Sequence, residues 1–156
     1  MHKSSQIVIA VVVLALYGLA AASAQSPRQS SRGLTVLQLA ERGDSRAQTR
    51  LGYMLATGQG VPQNYAESAY WYRRAAEQGS PDAQYLLGVC FDLGKGVPID
   101  FVLAHKWLNL SAARTRAGDE REHRARMRDA LATKLSYPEF ELAQSLAIAW
   151  RPKRER

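Results

Sequence analysis

Residues that carry chemistry are scarce in this chain. Its 156 residues include one cysteine, Cys90, and three histidines. A lone cysteine excludes an internal disulfide, and it excludes the Cys-x-x-Cys spacing of redox and zinc sites. His105 and His123 form no His-x-x-x-His pair, and His2 falls in a leader-like start. The chain has no Gly-x-Ser-x-Gly, no P-loop and no Ser-x-x-Lys. Gly58-x-Gly60 and Gly94-x-Gly96 lack the third glycine of a dinucleotide fingerprint, and each runs on into Val-Pro, which is turn chemistry. No catalytic, cofactor-binding or metal-binding set can be assembled, and His105 and His123 read as packing or surface residues.

Long apolar runs are also missing. Ile7 to Ala21 is apolar for about 15 residues, short of the roughly 20 that a membrane span needs. His2 and Lys3 precede it, and Ala22-Ser23-Ala24 follows as an A-x-A cleavage site. The pattern predicts a signal peptide over 1–24, cleaved between Ala24 and Gln25, and hence a periplasmic or secreted protein of a Gram-negative envelope. An uncleaved anchor is the competing reading, and the short run speaks against it. No cysteine follows Ala24, so no lipid anchor is indicated. The remaining chain is one domain by size. Its first stretch, residues 25–33, is polar QSPRQSSRG and is expected to be a disordered lead-in.

Acidic residues are fewer than basic ones, 14 against 21, for a net charge of +7. The excess comes late: Arg114, Arg116, Arg121, Arg124, Arg126 and Arg128, then Arg151, Lys153, Arg154 and Arg156. Asp119, Glu120, Glu122 and Asp129 interleave with it, which reads as a solvated helix face followed by a soluble basic tail over 151–156. The functional reading is electrostatic attachment to an anionic envelope component. Nucleic acid is not expected as a partner, because the leader exports the chain and no aromatic stacking platform is evident.

What the chain does have is a repeat. GQGVP at 58–62 returns as GKGVP at 94–98, and residues 45–80 and 81–116 align along their whole length. Ala47, Gln48, Leu51 and Gly52 meet Ala83, Gln84, Leu87 and Gly88. The Gly58 and Gly60-Val61-Pro62 positions, Trp71 and Ala76 recur likewise, and Tyr65 meets Phe101. A fixed period in this range marks a solenoid. Stacked repeats build extended surfaces rather than enclosed pockets, which favours binding over catalysis.

Each unit reads as two helices. Asp44 or Ser45 caps the first, which ends at Gly58, and Pro62 forbids continuation. Asn64 with Glu67 starts the second near Tyr65, and Gly79 ends it. Ser80-Pro81, Gly94 and Asp100 repeat this grammar. Gly52, Gly88 and the paired alanines sit where helix backbones must approach closely. Ala40 to Gly43 matches Ala76 to Gly79, so residues 34–44 are expected to be a truncated leading unit. Residues 117–150 break the repeat and read as two capping helices. The first carries His123, Met127, Leu131 and Leu135, and the second carries Phe140, Ala143, Ala147 and Trp150.

Leu-Gly, Gly-x-Gly-Val-Pro, an aromatic residue, Trp and Ala at this period resemble the Sel-one-like repeat, a relative of the tetratricopeptide repeat. The resemblance covers 45–116 well, 34–44 partly and the capping helices loosely. It implies an all-α right-handed superhelical solenoid used as a protein–protein adaptor. Some secreted relatives carry a cysteine pair in each unit, which this chain lacks. Cys90, aligned with Met54, reads as a buried small hydrophobe or as an intermolecular disulfide. A cell-wall or β-lactam activity, associated with a few exported relatives, finds no Ser-x-x-Lys here. In stacked helix pairs the first helix of each unit lines the concave side. Arg46, Arg50 and Tyr53, with Asp82, Leu86 and Val89 as counterparts, are then the expected partner-binding positions. Tyr85 lies at their edge, and Tyr53 and Tyr85 also fit a role in packing between units. Two units make a short stack, which a homodimer would lengthen.

Overall fold

Proline, glycine and short polar side chains set the helix ends. The computed structural model describes residues 35–153 and 155; the expected leader, its cleavage site at Ala24 and Gln25, and the lead-in over 25–33 lie outside them. Seven helices are present among the described residues: α1 (35–41), α2 (Ser45–Thr57), α3 (Tyr65–Glu77), α4 (Pro81–Leu93), α5 (Phe101–Arg114), α6 (Asp119–Ala132) and α7 (Tyr137–Ala149). No strand occurs among the described residues. Asp44 accepts the Ala47 N–H at 2.7 Å, and Ser80 accepts the Ala83 N–H at 3.3 Å. Asn64 and Asp100 do the same for α3 and α5. Each such bond satisfies a helix-end donor that has no partner within the helix. Ser136 and Glu139 form the capping box of α7.

Within each unit the two helices touch at a glycine. A Cβ on Gly52 would lie 2.7 Å from the Tyr72 ring, and one on Gly88 would lie 2.9 Å from Leu108 Cγ. Only hydrogen at these positions lets α2 meet α3, and α4 meet α5. Ser68 Oγ also donates to Gly52 O at 2.7 Å.

Between units one polar contact repeats. Gln48 Nε2 donates to Ala40 O at 3.0 Å, and Gln84 Nε2 donates to Ala76 O at 3.2 Å. The second Gly-Val-Pro turn also seats on the first unit, since a Cβ on Gly96 would fall 2.0 Å from Tyr65 O. The main core runs through Tyr72, Ala76, Leu87, Trp107 and Leu108 and takes in Leu131 and Ala147 from the cap. A smaller cluster gathers Ala40, Leu51, Leu55 and Trp71 at the leading end.

The cap departs from its expected pattern. Both α6 and α7 pack on α5. Of the expected α6 stripe, Leu131 is buried and Met127 packs on the core, but His123 is exposed and Leu135 lies beyond the helix end. The buried neighbour on this face is Arg124, 5% exposed, which bonds Asp82, Glu120 and, at 2.9 Å, Ser111 Oγ. A buried guanidinium is tolerable only with such partners. It therefore ties α6 to the start of α4 and to α5.

The tail also differs from its expected soluble state. Trp150 stands edge-on to Trp107 at 6.2 Å, with the Arg114 guanidinium over its ring. The chain then crosses back over the first unit. Lys153 N donates to Glu77 O at 2.8 Å, and Glu155 bonds Arg74 and Gln48. Glu155, the one acid in this basic stretch, was the unread signal.

Gly58 and Gly96 have nearly the same backbone, φ 73° and 75°. Gly58→Ala meets only ordinary contacts and is expected to cost about 1–2 kcal/mol, from the left-handed backbone alone. Gly96→Ala should cost clearly more, because its methyl runs into the α3 backbone. Urea denaturation of the two variants checks this, and equal losses would refute the seating of the turn.

Candidate functional site

The first helices of the two units, α2 and α4, leave an open cleft between them of about 550 Å³. Arg46, Arg50 and Tyr53 line it from α2, and Asp82 and Leu86 line it from α4. These residues occupy the outward positions of their helices because the inward ones, Ala47, Leu51, Ala83 and Leu87, are committed to the core. Arg46 and Arg50 have no ion pair among the described residues, and Tyr53 is 48% exposed. Thr49, Met54, Gln59 and Ser80 also line the cleft, which the sequence reading did not include. Thr49 Oγ1 and Ser80 Oγ meet across it at 3.4 Å.

Two expected positions are not in the cleft. Tyr85 lies under the cap: its hydroxyl is 3.2 Å from His123 Nε2 and its ring faces the Arg124 guanidinium. Val89 is half-buried and does not line the cleft. Asp82 lines it but also accepts a hydrogen bond from Arg124, so its charge is shared with the cap. The cap helix thus closes the trailing side. The sequence could not show this, because Arg124 reads there as one more member of a charge run.

Two further cavities bear on chemistry. One, of about 390 Å³, is apolar and opens at the leading end among Leu37, Leu51, Leu55, Val61 and Trp71. The other, of about 270 Å³, lies between α5 and the cap and holds His105, Asn109, Arg128, Asp129, Phe140 and Gln144. His105 is 2% exposed and packs edge-on to Phe140, and its Nδ1 has no hydrogen-bond partner among the described residues. Burial, aided by Arg128, holds it below its usual imidazole value, so it packs as a neutral ring. Cys90 is buried, and burial pushes its thiol up to about 11, which leaves almost no thiolate for disulfide exchange at neutral pH. No group of three metal-ligating side chains occurs among the described residues, and none of the described helices is long and apolar enough to cross a membrane.

The Sel1 repeat model matches residues 45–80 and 81–115. The chain carries two Sel1 repeats. Two solved structures agree with this. The crystal structure of c5321, a protective antigen of uropathogenic Escherichia coli strains displaying an SLR fold, superposes with a TM-score of 0.66 at 26% identity. That match covers 87% of this chain and 32% of c5321, so the chain spans about a third of that protein's length. A Sel1 repeat protein from Oxalobacter formigenes gives a TM-score of 0.50 at 34% identity, over 51% of this chain and 61% of its own. No curated protein matches the sequence. The Sel1 pair is thus an all-α SLR solenoid, a scaffold fold that typically mediates protein interactions.

The depressed His105 value makes stability depend on pH. The unfolded chain takes up a proton near 6.5 that the folded chain resists. Stability from this site is therefore present above 6.5 and lost as pH falls below it. The thermal midpoint is expected to fall between about pH 7 and pH 5. The fall should be shallower in His105→Gln, and identical pH profiles would exclude His105 as the cause.

Proposed function

We propose that this Sel1 repeat chain is an exported adaptor, periplasmic or secreted, which binds another protein through the cleft between α2 and α4. The observation that carries this reading is the gathering of two arginines with no ion pair among the described residues, an exposed tyrosine and Leu86 in one open cleft. Arginine and tyrosine dominate the energetic centres of protein interfaces, because each offers large contact area with a polar tip. The leader-like first 24 residues support the envelope location.

The electrostatic alternative draws less support. Part of the late positive charge is already paired: Arg124 with Asp82 and Glu120, Arg126 with Glu122, Arg128 with Asp129 and Lys153 with Glu77, while Lys134 pairs with Asp92. Pairs of this kind lower the field that an anionic polymer would meet.

Crosslinked pull-down from envelope extract tests both readings. The mature chain is expected to capture a defined partner, and Arg46→Ala, Arg50→Ala and Tyr53→Ala together should lose it. Capture that survives all three substitutions but is released in about 0.5 M salt would move the contact to the basic cap. Capture that survives both would sink the cleft as the binding surface.

A further inference from the structure

We propose that the two inter-unit turns, with Arg74 and Gln48 beside them, form a docking track for an extended peptide segment bearing a carboxylate side chain. The chain's own C-terminal segment occupies this track. The track shares no residue with the α2–α4 cleft, so the proposal stands independently of the adaptor reading.

The turns come first. Gly43 and Gly79 are equivalent positions of successive units, both with left-handed backbone at φ 89° and 96°. The tail touches each of them. Trp150 Cη2 and Pro152 Cβ lie 3.7 Å from where a Gly79 Cβ would stand, and Glu155 Cβ lies 3.0 Å from the same point on Gly43. The bare turns therefore leave a path that side chains would narrow. Midway, Lys153 N donates to Glu77 O at 2.8 Å. That main-chain bond is open to any non-proline residue in this register.

The carboxylate cradle is built by the repeat, not by the tail. Arg74 lies over the Trp71 ring at 4.9 Å, and it grips Glu155 through both Nε, at 2.9 Å to Oε1, and Nη2, to Oε2. This is the two-pronged geometry in which arginine recognises carboxylates best. Gln48 is fully buried; one of its N–H groups holds Ala40 O, and its Oε1 accepts from Gln78 at 2.7 Å. Its remaining N–H points at Glu155 Oε2, 2.8 Å away. These donors hold the Glu155 carboxyl below the usual carboxylate value, so the anion is the bound form.

The cradle is not a packing need of the repeat. In the second unit Leu110 stands where the first has Arg74, and Arg114 stands where it has Gln78. Gln84 there keeps its backbone bond, while its Oε1 has no partner among the described residues. Carboxylate recognition belongs to the first unit alone. A tethered tail competes at high effective concentration, so it screens the track from weaker segments.

The test uses the full chain and a fluorescent peptide of residues 150–156, Trp-Arg-Pro-Lys-Arg-Glu-Arg, beside a copy with Gln in place of its Glu. Polarisation in physiological salt reads the affinity, and circular dichroism confirms folding. Glu155→Ala, which frees the cradle, is expected to bind the Glu peptide at least tenfold tighter than the unsubstituted chain. Adding Arg74→Ala should remove that gain, with Arg74→Lys in its place if the first variant does not fold. The Gln peptide should bind at least tenfold more weakly than the Glu peptide. Equal binding by the unsubstituted chain and Glu155→Ala, no preference for Glu over Gln, or no binding by Glu155→Ala would each overturn the proposal and leave the tail as an internal strap.

Discussion

The stack depends on one hydrogen bond used twice. A buried glutamine near the start of each unit's first helix donates to a carbonyl near the end of the preceding helix, Gln48 to Ala40 and Gln84 to Ala76. The last carbonyls of a helix have no partner within it, and a buried one must find a partner elsewhere. The turn glycines Gly43 and Gly79 also donate their N–H groups to these carbonyls, and the glutamine adds a second donor from the next unit, one that would itself be costly to bury unbonded. The bond therefore fixes both the distance and the phase between units. The residues around it are small, with Ala40, Ala76 and Ala83 fully buried, so the backbones can close to that distance.

The rest of the architecture follows from that phase. With α2 and α4 in register, the outward residues of one face those of the other, and a cleft opens between them. The inter-unit turns line up as well, which lets one extended tail touch both Gly43 and Gly79. Gln48 joins the two consequences, since the amide that sets the stacking also turns its second N–H toward Glu155. Glycine at 52 and 88 sets the other dimension, the separation of helices inside a unit.

Charge does structural work at the trailing end. Arg124 sits within a sequence rich in arginine, yet it is nearly as buried as Leu131 beside it. Its fork reaches three partners on two other helices and on its own, which a lysine's point charge would match poorly. The cap is thereby fastened to the second unit, and Asp82 and Tyr85 are drawn toward it. The cleft ends where the cap begins.

The sequence by itself determined the period, the helix ends and the close approaches. These are local requirements: Asp44, Asn64, Ser80 and Asp100 satisfy helix-end donors, Gly58 and Gly94 take a left-handed backbone, and Gly52 and Gly88 admit a neighbouring helix. A repeat shows such requirements twice, so Arg46, Arg50 and Tyr53 could be placed on the outward face from position alone. Only the tertiary structure decided which charges are paired, that Tyr85 lies under the cap, and that the tail returns to the first unit. Those outcomes join residues far apart in the chain, Arg74 with Glu155 and Asp82 with Arg124, and one partner of each pair lies outside the repeat. No periodicity announces them, because a guanidinium finds its carboxylate through space and not through spacing.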